Sequence, residues 1–191
     1  MENSKTKVLV EGAIMLALSI ILSFIKFKFL PFGGSITAVS MLPIMIFSIR
    51  HGLGWGMGVS FLYALYQMFM DLGEVLNWGL SPTMLAGCIA FDYIIAFSVL
   101  GLAGMFRKKG GYLNIAGIVI AMLLRYISHI LSGVVVFQSA GLIWDIDIKN
   151  SWLYSAVYNG AFMIPEIVFT VIVAVILLTV PQSKKLLICN K

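Results

Sequence analysis

Residues 153–180 contain a single charged side chain, Glu166, in a run long enough to cross a membrane. About 20 consecutive apolar residues span the hydrocarbon core of a bilayer as a helix. The pattern recurs at about 8–27, 52–70, 82–105 and 113–136, with a shorter run at about 38–49 that ends at Arg50-His51-Gly52. The chain is 61% hydrophobic and only 11% charged, where a soluble domain carries about a quarter charged residues. Lipid is therefore its main solvent. No separate polar stretch is long enough for a soluble domain, so residues 1–191 read as a single integral membrane domain, all-α, with six transmembrane helices. No small-residue cleavage site follows the first run, which is read as a retained helix.

Six spans place both termini on one side. That side would hold Lys5, Lys7, Arg50, Arg107, Lys108, Lys109, Lys184, Lys185 and Lys191. The other side would hold Lys26, Lys28 and Lys149, with Asp71, Glu74, Asp145 and Asp147. Lysine and arginine enrichment marks the cytoplasmic side, so both termini are expected in the cytoplasm. The basic residues are scattered over short loops and form no continuous patch, which argues against nucleic acid as a partner. Cys88 and Cys189 share no metal-ligand spacing and are expected to be free. Three loops would face outward, at about 28–37, 71–81 and 137–152. Their tryptophans Trp78, Trp144 and Trp152 fit an interfacial belt. No internal repeat is evident, which argues against an inverted-repeat transporter.

Ionisable groups at membrane depth are costly and tend to be functional. The stretch RYISHILSGVVVF at 125–137 sets Arg125 and His129 one helical turn apart. At about 1.5 Å per residue, His129 lies roughly 10 Å and Asp92 roughly 15 Å from the outer ends of their helices. Tyr154, Tyr158 and Asn159 enter from the outer end of the last helix. An outer layer could hold Asp92, His129, Tyr154 and Asn159, and a lower layer Arg125 and Glu166 as a structural ion pair, since an unpaired buried charge costs several kcal/mol. Asp92 and His129 could also serve as a plain interhelical hydrogen bond. Gly133, one turn above His129, leaves room for a ligand or for a packed helix, and Phe137 follows one turn further out. Glu11 lies near the cytoplasmic end, within reach of the headgroups. Ala13 and Ala17, after Gly12, form a small-residue face that lets another helix approach.

Several chemistries are missing. There is no P-loop, so ATP is not hydrolysed through a Walker A site. There is no HExxH metal motif, and no nucleophile turn accompanies Ser128, Ser132 and His129. The chain does not read as an enzyme.

The segments GGSITAVSMLPI at 33–44, FDYIIAFSVLGLAGMF at 91–106, RYISHILSGVVVF at 125–137 and WLYSAVYNGAFMIPE at 152–166 resemble the thiamine-specific S component of energy-coupling-factor (ECF) vitamin transporters. The resemblance implies a multi-pass protein of the bacterial cytoplasmic membrane with cytoplasmic termini. It implies thiamine bound near the outer face, under the loop between the first two helices, and no cofactor. It implies partners as well: a membrane-embedded ECF coupling subunit, docked on the face of Ala13 and Ala17, and two cytoplasmic ATPase subunits. The ligand-binding positions it carries over are Asp92 with Tyr93, His129 with Gly133, Phe137, Tyr154 and Asn159, and Trp144 as a lid aromatic. Asp92 stands where a longer carboxylate is common, and Phe137 where tryptophan is common, which bears on affinity. The readings that remain beside it are an S component for a thiamine precursor or another vitamin, and a non-transporting membrane scaffold.

Overall fold

The computed structural model describes residues 5–28, 34–37, 39–143 and 146–181. Helix α1 spans Lys5–Phe24, α2 Leu42–His51 and α3 Leu53–Leu76. Helix α4 runs over Pro82–Phe106, α5 over Tyr112–Val136 and α6 over Ser151–Thr179. Two short antiparallel hairpins complete the described chain. β1 (Lys26–Lys28) pairs with β2 (Ser35–Thr37) in the register Phe27 to Ile36, and β3 (Gly141–Ile143) pairs with β4 (Ile146–Ile148). The protein is thus mostly helical. Helices α1, α4, α5 and α6 are each long and apolar enough to cross a membrane.

The sequence explains several helix ends. Ser81 caps α4 by accepting from the Met84 N–H at 3.3 Å, with Pro82 at the first helical position, where its missing N–H costs nothing. Asn150 caps α6 by accepting from Leu153 N–H at 3.0 Å. Gly52 separates α2 from α3 at φ +95°, a conformation that favours glycine. Below, "inner" denotes the end of the bundle that holds this turn and the α4–α5 turn.

Three expectations need correction. Residues 71–76, expected in an outer loop, continue α3 to Leu76. Glu11 does not simply reach outward: it accepts from His51 Nε2 at 2.6 Å and meets Arg50 Nε at 3.2 Å, clamping α1 to the inner end of α2. The 28–37 and 137–152 segments, read as loops, carry the two hairpins.

Without a hydrophobic drive between helices in lipid, small residues and polar contacts hold a bundle together. At the inner end the helix backbones nearly touch. A Cβ on Gly101 of α4 would lie 2.6 Å from Met57 N and 2.8 Å from Gly56 C of α3. Gly104 of α4 and Gly56 of α3 both abut Ser48 of α2, and Gly117 of α5 abuts the Ala103 carbonyl. The Ser48 hydroxyl, fully buried, donates to the Gly101 carbonyl and accepts from Gly104 N–H at 3.2 Å. Every residue of α2 from Leu42 to Ile49 is buried, so this short helix, about 15 Å long, is the bundle's core element.

Gly101→Val should therefore destabilise the fold by about 1–3 kcal/mol, because backbone atoms cannot yield to the new side chain. Thermal unfolding in detergent would show it. Gly58→Ala, inside α3 where nothing lies within 4 Å of the new Cβ, should leave the fold as stable as the parent or raise its stability by up to about 1 kcal/mol, because alanine is the better helix former.

Candidate ligand-binding site

Toward the outer end the helices separate around a cavity of about 380 Å³, within the range of small-molecule sites. Its walls come from α3, α4, α5 and α6, with β2 and the Ser40–Met41 turn on one side.

Both long helices that face each other here depart from regular α-helix. Residues Ile89–Ile95 of α4 and Ser132–Val136 of α5 form wide π-helical turns, a distortion frequent at functional sites. The first presents Asp92 and Tyr93, and the second presents Ser132 and Gly133. Phe137 N–H bonds the Ser132 carbonyl, five residues back, at 3.2 Å.

Asp92 is the polar centre. His129 Nδ1 donates to Asp92 Oδ1 at 2.8 Å, and Ser132 Oγ donates to Oδ2. A carboxylate only accepts, so in the neutral ring the proton sits on Nδ1 and Nε2 is left as an acceptor. Nε2 is buried, lacks a protein partner among the described residues, and belongs to a ring that lines the cavity. Phe162 meets the imidazole edge-on at 5.9 Å. Asn159 Nδ2 donates to the Ser155 carbonyl at 2.9 Å and to Ser155 Oγ at 3.1 Å. Tyr154 and Tyr158 stack with rings 6° apart in plane. Tyr93 donates to Asp71 Oδ2 at 3.4 Å.

The structure brings Asp92, Tyr93, His129, Gly133, Phe137, Tyr154 and Asn159 to this one cavity. Trp144 lies outside the described residues, as do residues 31–33 of the expected lid loop. The room left by Gly133 is taken by Ser155 of α6: a Cβ there would lie 2.8 Å from Ser155 Cβ. Its smallness thus serves helix packing at the cavity edge.

Arg125 and Glu166 both line the floor but do not form the expected direct ion pair. The Arg125 guanidinium lies over the Phe97 ring at 4.4 Å, with Nη1 2.8 Å from Met41 sulfur. Glu166 instead accepts from Thr37 N–H and Thr37 Oγ1, both at 2.6 Å. The nearer hydroxyl and amide of β2 satisfy both carboxylate oxygens, and the ring face holds the cation.

Sequence reasoning missed several wall residues. Trp78, assigned to an interfacial belt, lines the cavity and packs edge-on against Phe137 at 6.3 Å. Asp71 and Glu74, assigned to a loop, line it from α3, as does Gln67. Their spacing was the available signal: 67, 71 and 74 share one helical face. The lining holds four carboxylates, Asp71, Glu74, Asp92 and Glu166, against Lys26 and Arg125. That balance and the aromatic walls suit a flat, cationic ligand.

A family model described as "Thiamine transporter protein (Thia_YuaJ)" matches residues 9–186. Thiamine transporter ThiT of Bacillus subtilis is 32% identical, over 97% of this chain and 98% of that protein. Thiamine transporter ThiT of Lacticaseibacillus paracasei is 27% identical, over 95% and 92%. The solved structure of ThiT from Listeria monocytogenes superposes with a TM-score of 0.73 at 27% identity, covering 97% of this chain and all of that one. These relatives are transporters, not enzymes. With the match running through every helix that walls the cavity, the chain belongs to the thiamine transporter protein family.

Proposed function

We propose that this protein captures thiamine with high affinity in the outer cavity and serves its uptake as the S component of an ECF transporter in the bacterial cytoplasmic membrane. In this reading residues 1–191 form one domain of six transmembrane helices with both termini cytoplasmic. The observation that carries it is the Asp92–His129 pair, whose second imidazole nitrogen, unpartnered among the described residues, belongs to a ring lining an acidic, aromatic-walled cavity. Thiamine has an aminopyrimidine with donors and acceptors and a cationic thiazolium. Asp92, His129 and Asn159 offer the polar partners, and Tyr93, Phe137, Tyr154 and Trp144 the aromatic faces, with Gly133 at the wall. Coupling would use α1. Ala13 and Ala17 are exposed on one face of it, opposite the buried Gly12 and Ser19, and would dock the coupling subunit that two ATPases drive.

Calorimetric titration of the detergent-solubilised protein tests the reading. Saturation below micromolar thiamine is expected, with the pyrimidine and thiazole fragments weaker. No heat with thiamine overturns it and points to another vitamin or to a scaffold. Asp92→Ala and His129→Ala should each weaken thiamine binding at least about tenfold, the cost of a lost charged hydrogen bond, while thermal unfolding still shows a folded chain. Ala13→Trp or Ala17→Trp should preserve thiamine binding but reduce co-purification with the coupling subunit. Undiminished assembly would place the docking face elsewhere.

A further inference from the structure

The seam that joins α1 to the bundle offers little to hold the helix in one rotation. Its buried residues are Val8, Gly12, Ser19 and Ser23. The large apolar side chains Leu9, Ile14, Leu18, Ile21 and Phe24 of the same helix are exposed instead. Small side chains let helices approach closely, and at Gly12 the approach is tight: a Cβ there would lie 3.1 Å from the Phe47 ring and 3.2 Å from a Val59 methyl. Rotation is fixed by side chains that form ridges and fill grooves, and this seam has few of them.

Glu11 supplies what the seam lacks. Its Oε2 accepts from His51 Nε2 at 2.6 Å and meets Arg50 Nε at 3.2 Å, and its Oε1 accepts from Arg50 Nη2 at 3.3 Å. The receiving end is itself held. The His51 side chain is 4% exposed and its ring lies 4.7 Å from that of Phe47. Arg107 of α4 donates through Nη2 to the Arg50 carbonyl at 3.3 Å. Helix α2, which carries both residues, is buried from Leu42 to Ile49. Glu11 therefore ties α1 to the most enclosed element of the bundle. At about 100° of rotation per residue, Glu11 lies on one flank of the buried stripe and Ala13 and Ala17 lie on the other.

We propose that Glu11, held by His51 and Arg50, is a positioning residue for assembly: it fixes the rotation of α1 and so the direction in which the Ala13–Ala17 face meets the coupling subunit. The inference rests on the docking reading above. Ile14 and Leu18 each follow an alanine of that face by one position and are exposed beside it. A turn of α1 about its small-residue seam would bring a branched side chain to the place where close helix approach needs a methyl group. The clamp resists that turn from the opposite flank, without touching the partner through His51, which is buried.

The test uses the full chain, co-expressed with the coupling subunit and ATPases, and reads assembly by co-purification and thiamine affinity by calorimetry. Glu11→Ala and His51→Ala should each lower co-purification about fivefold, as for loss of a sheltered ion pair. Thiamine affinity should stay within about twofold of the parent, because the cavity lies at the other end of the bundle. The double variant should assemble no worse than the weaker single one, since each removes the same clamp. Undiminished assembly in both single variants overturns the inference. A loss confined to Glu11→Ala would mean that Glu11 touches the partner directly, and overturns it as well. So do additive losses in the double variant, or a parallel loss of thiamine binding, which would make the clamp a general support of the fold. Failure of the parent chain to assemble, or full assembly of Ala17→Trp, would instead overturn the docking reading itself, so the two failures are distinct.

Discussion

Asp92 is the acceptor on which two helices close. A carboxylate at this depth needs partners, since an unpaired buried charge costs several kcal/mol. It finds both on α5, in His129 and Ser132. The wide turns on either side make this possible and create their own demand, because a π-helical turn disturbs the regular carbonyl ladder. Neighbouring side chains take up that demand. Ser128 Oγ donates to the Phe91 carbonyl at 2.6 Å inside the α4 wide turn. Ser155 Oγ donates to the Ile130 carbonyl at 3.0 Å, just before the α5 wide turn. Re-satisfying backbone groups through adjacent helices is how irregular helix persists in lipid. One set of hydrogen bonds thus joins α4, α5 and α6 and aims the imidazole into the cavity.

The bundle divides the work along its axis. At the inner end, glycines bring α2, α3, α4 and α5 into backbone contact around Ser48. Such contact is stiff, because backbone atoms cannot rotate away as side chains do. At the outer end, aromatic and polar side chains replace the glycines and the helices stand apart. The β1–β2 hairpin is tied across this opening. Thr37 reaches Glu166 on α6, and Lys26 reaches Asp71 on α3. The hairpin wall is therefore anchored to the two helices that flank the cavity.

Hydropathy alone located the long helices, because a bilayer imposes a length that the sequence must match. The four longest apolar runs appear within a few residues of where they were read. The polar residues at depth were legible for the same reason: Asp92, His129 and Asn159 stand out against an apolar background. What hydropathy could not supply was pairing. Arg125 and Glu166 were matched by charge, yet a thioether, an aromatic face and the Thr37 backbone lie nearer to them. Nor do wide turns have a periodic signature. The spacing of four that links Arg125, His129, Gly133 and Phe137 assumes a regular helix, and the turn at Ser132–Val136 breaks it between His129 and Phe137. Asp71 and Glu74 were misassigned because polar residues near a span end read as loop, whereas α3 continues through them.

Satisfaction of polar atoms separates the supporting side chains from those able to read a ligand. Glu166 is 2% exposed and both its oxygens accept from Thr37. Asn159 spends its amide protons on Ser155 and on the His129 carbonyl at 3.4 Å, leaving only its carbonyl oxygen for another group. In His129 one nitrogen is fixed by Asp92 and the other has no protein partner among the described residues. A buried polar atom left unpaired costs about 1–3 kcal/mol. Other buried atoms are also unpaired among the described residues, Ser60 Oγ and Thr170 Oγ1 among them, but the His129 nitrogen belongs to a ring that lines the cavity, where a bound molecule can offset that cost. The half-satisfied imidazole, held by the Asp92 carboxylate in the cavity wall, is an arrangement that recognition of a hydrogen-bonding ligand explains.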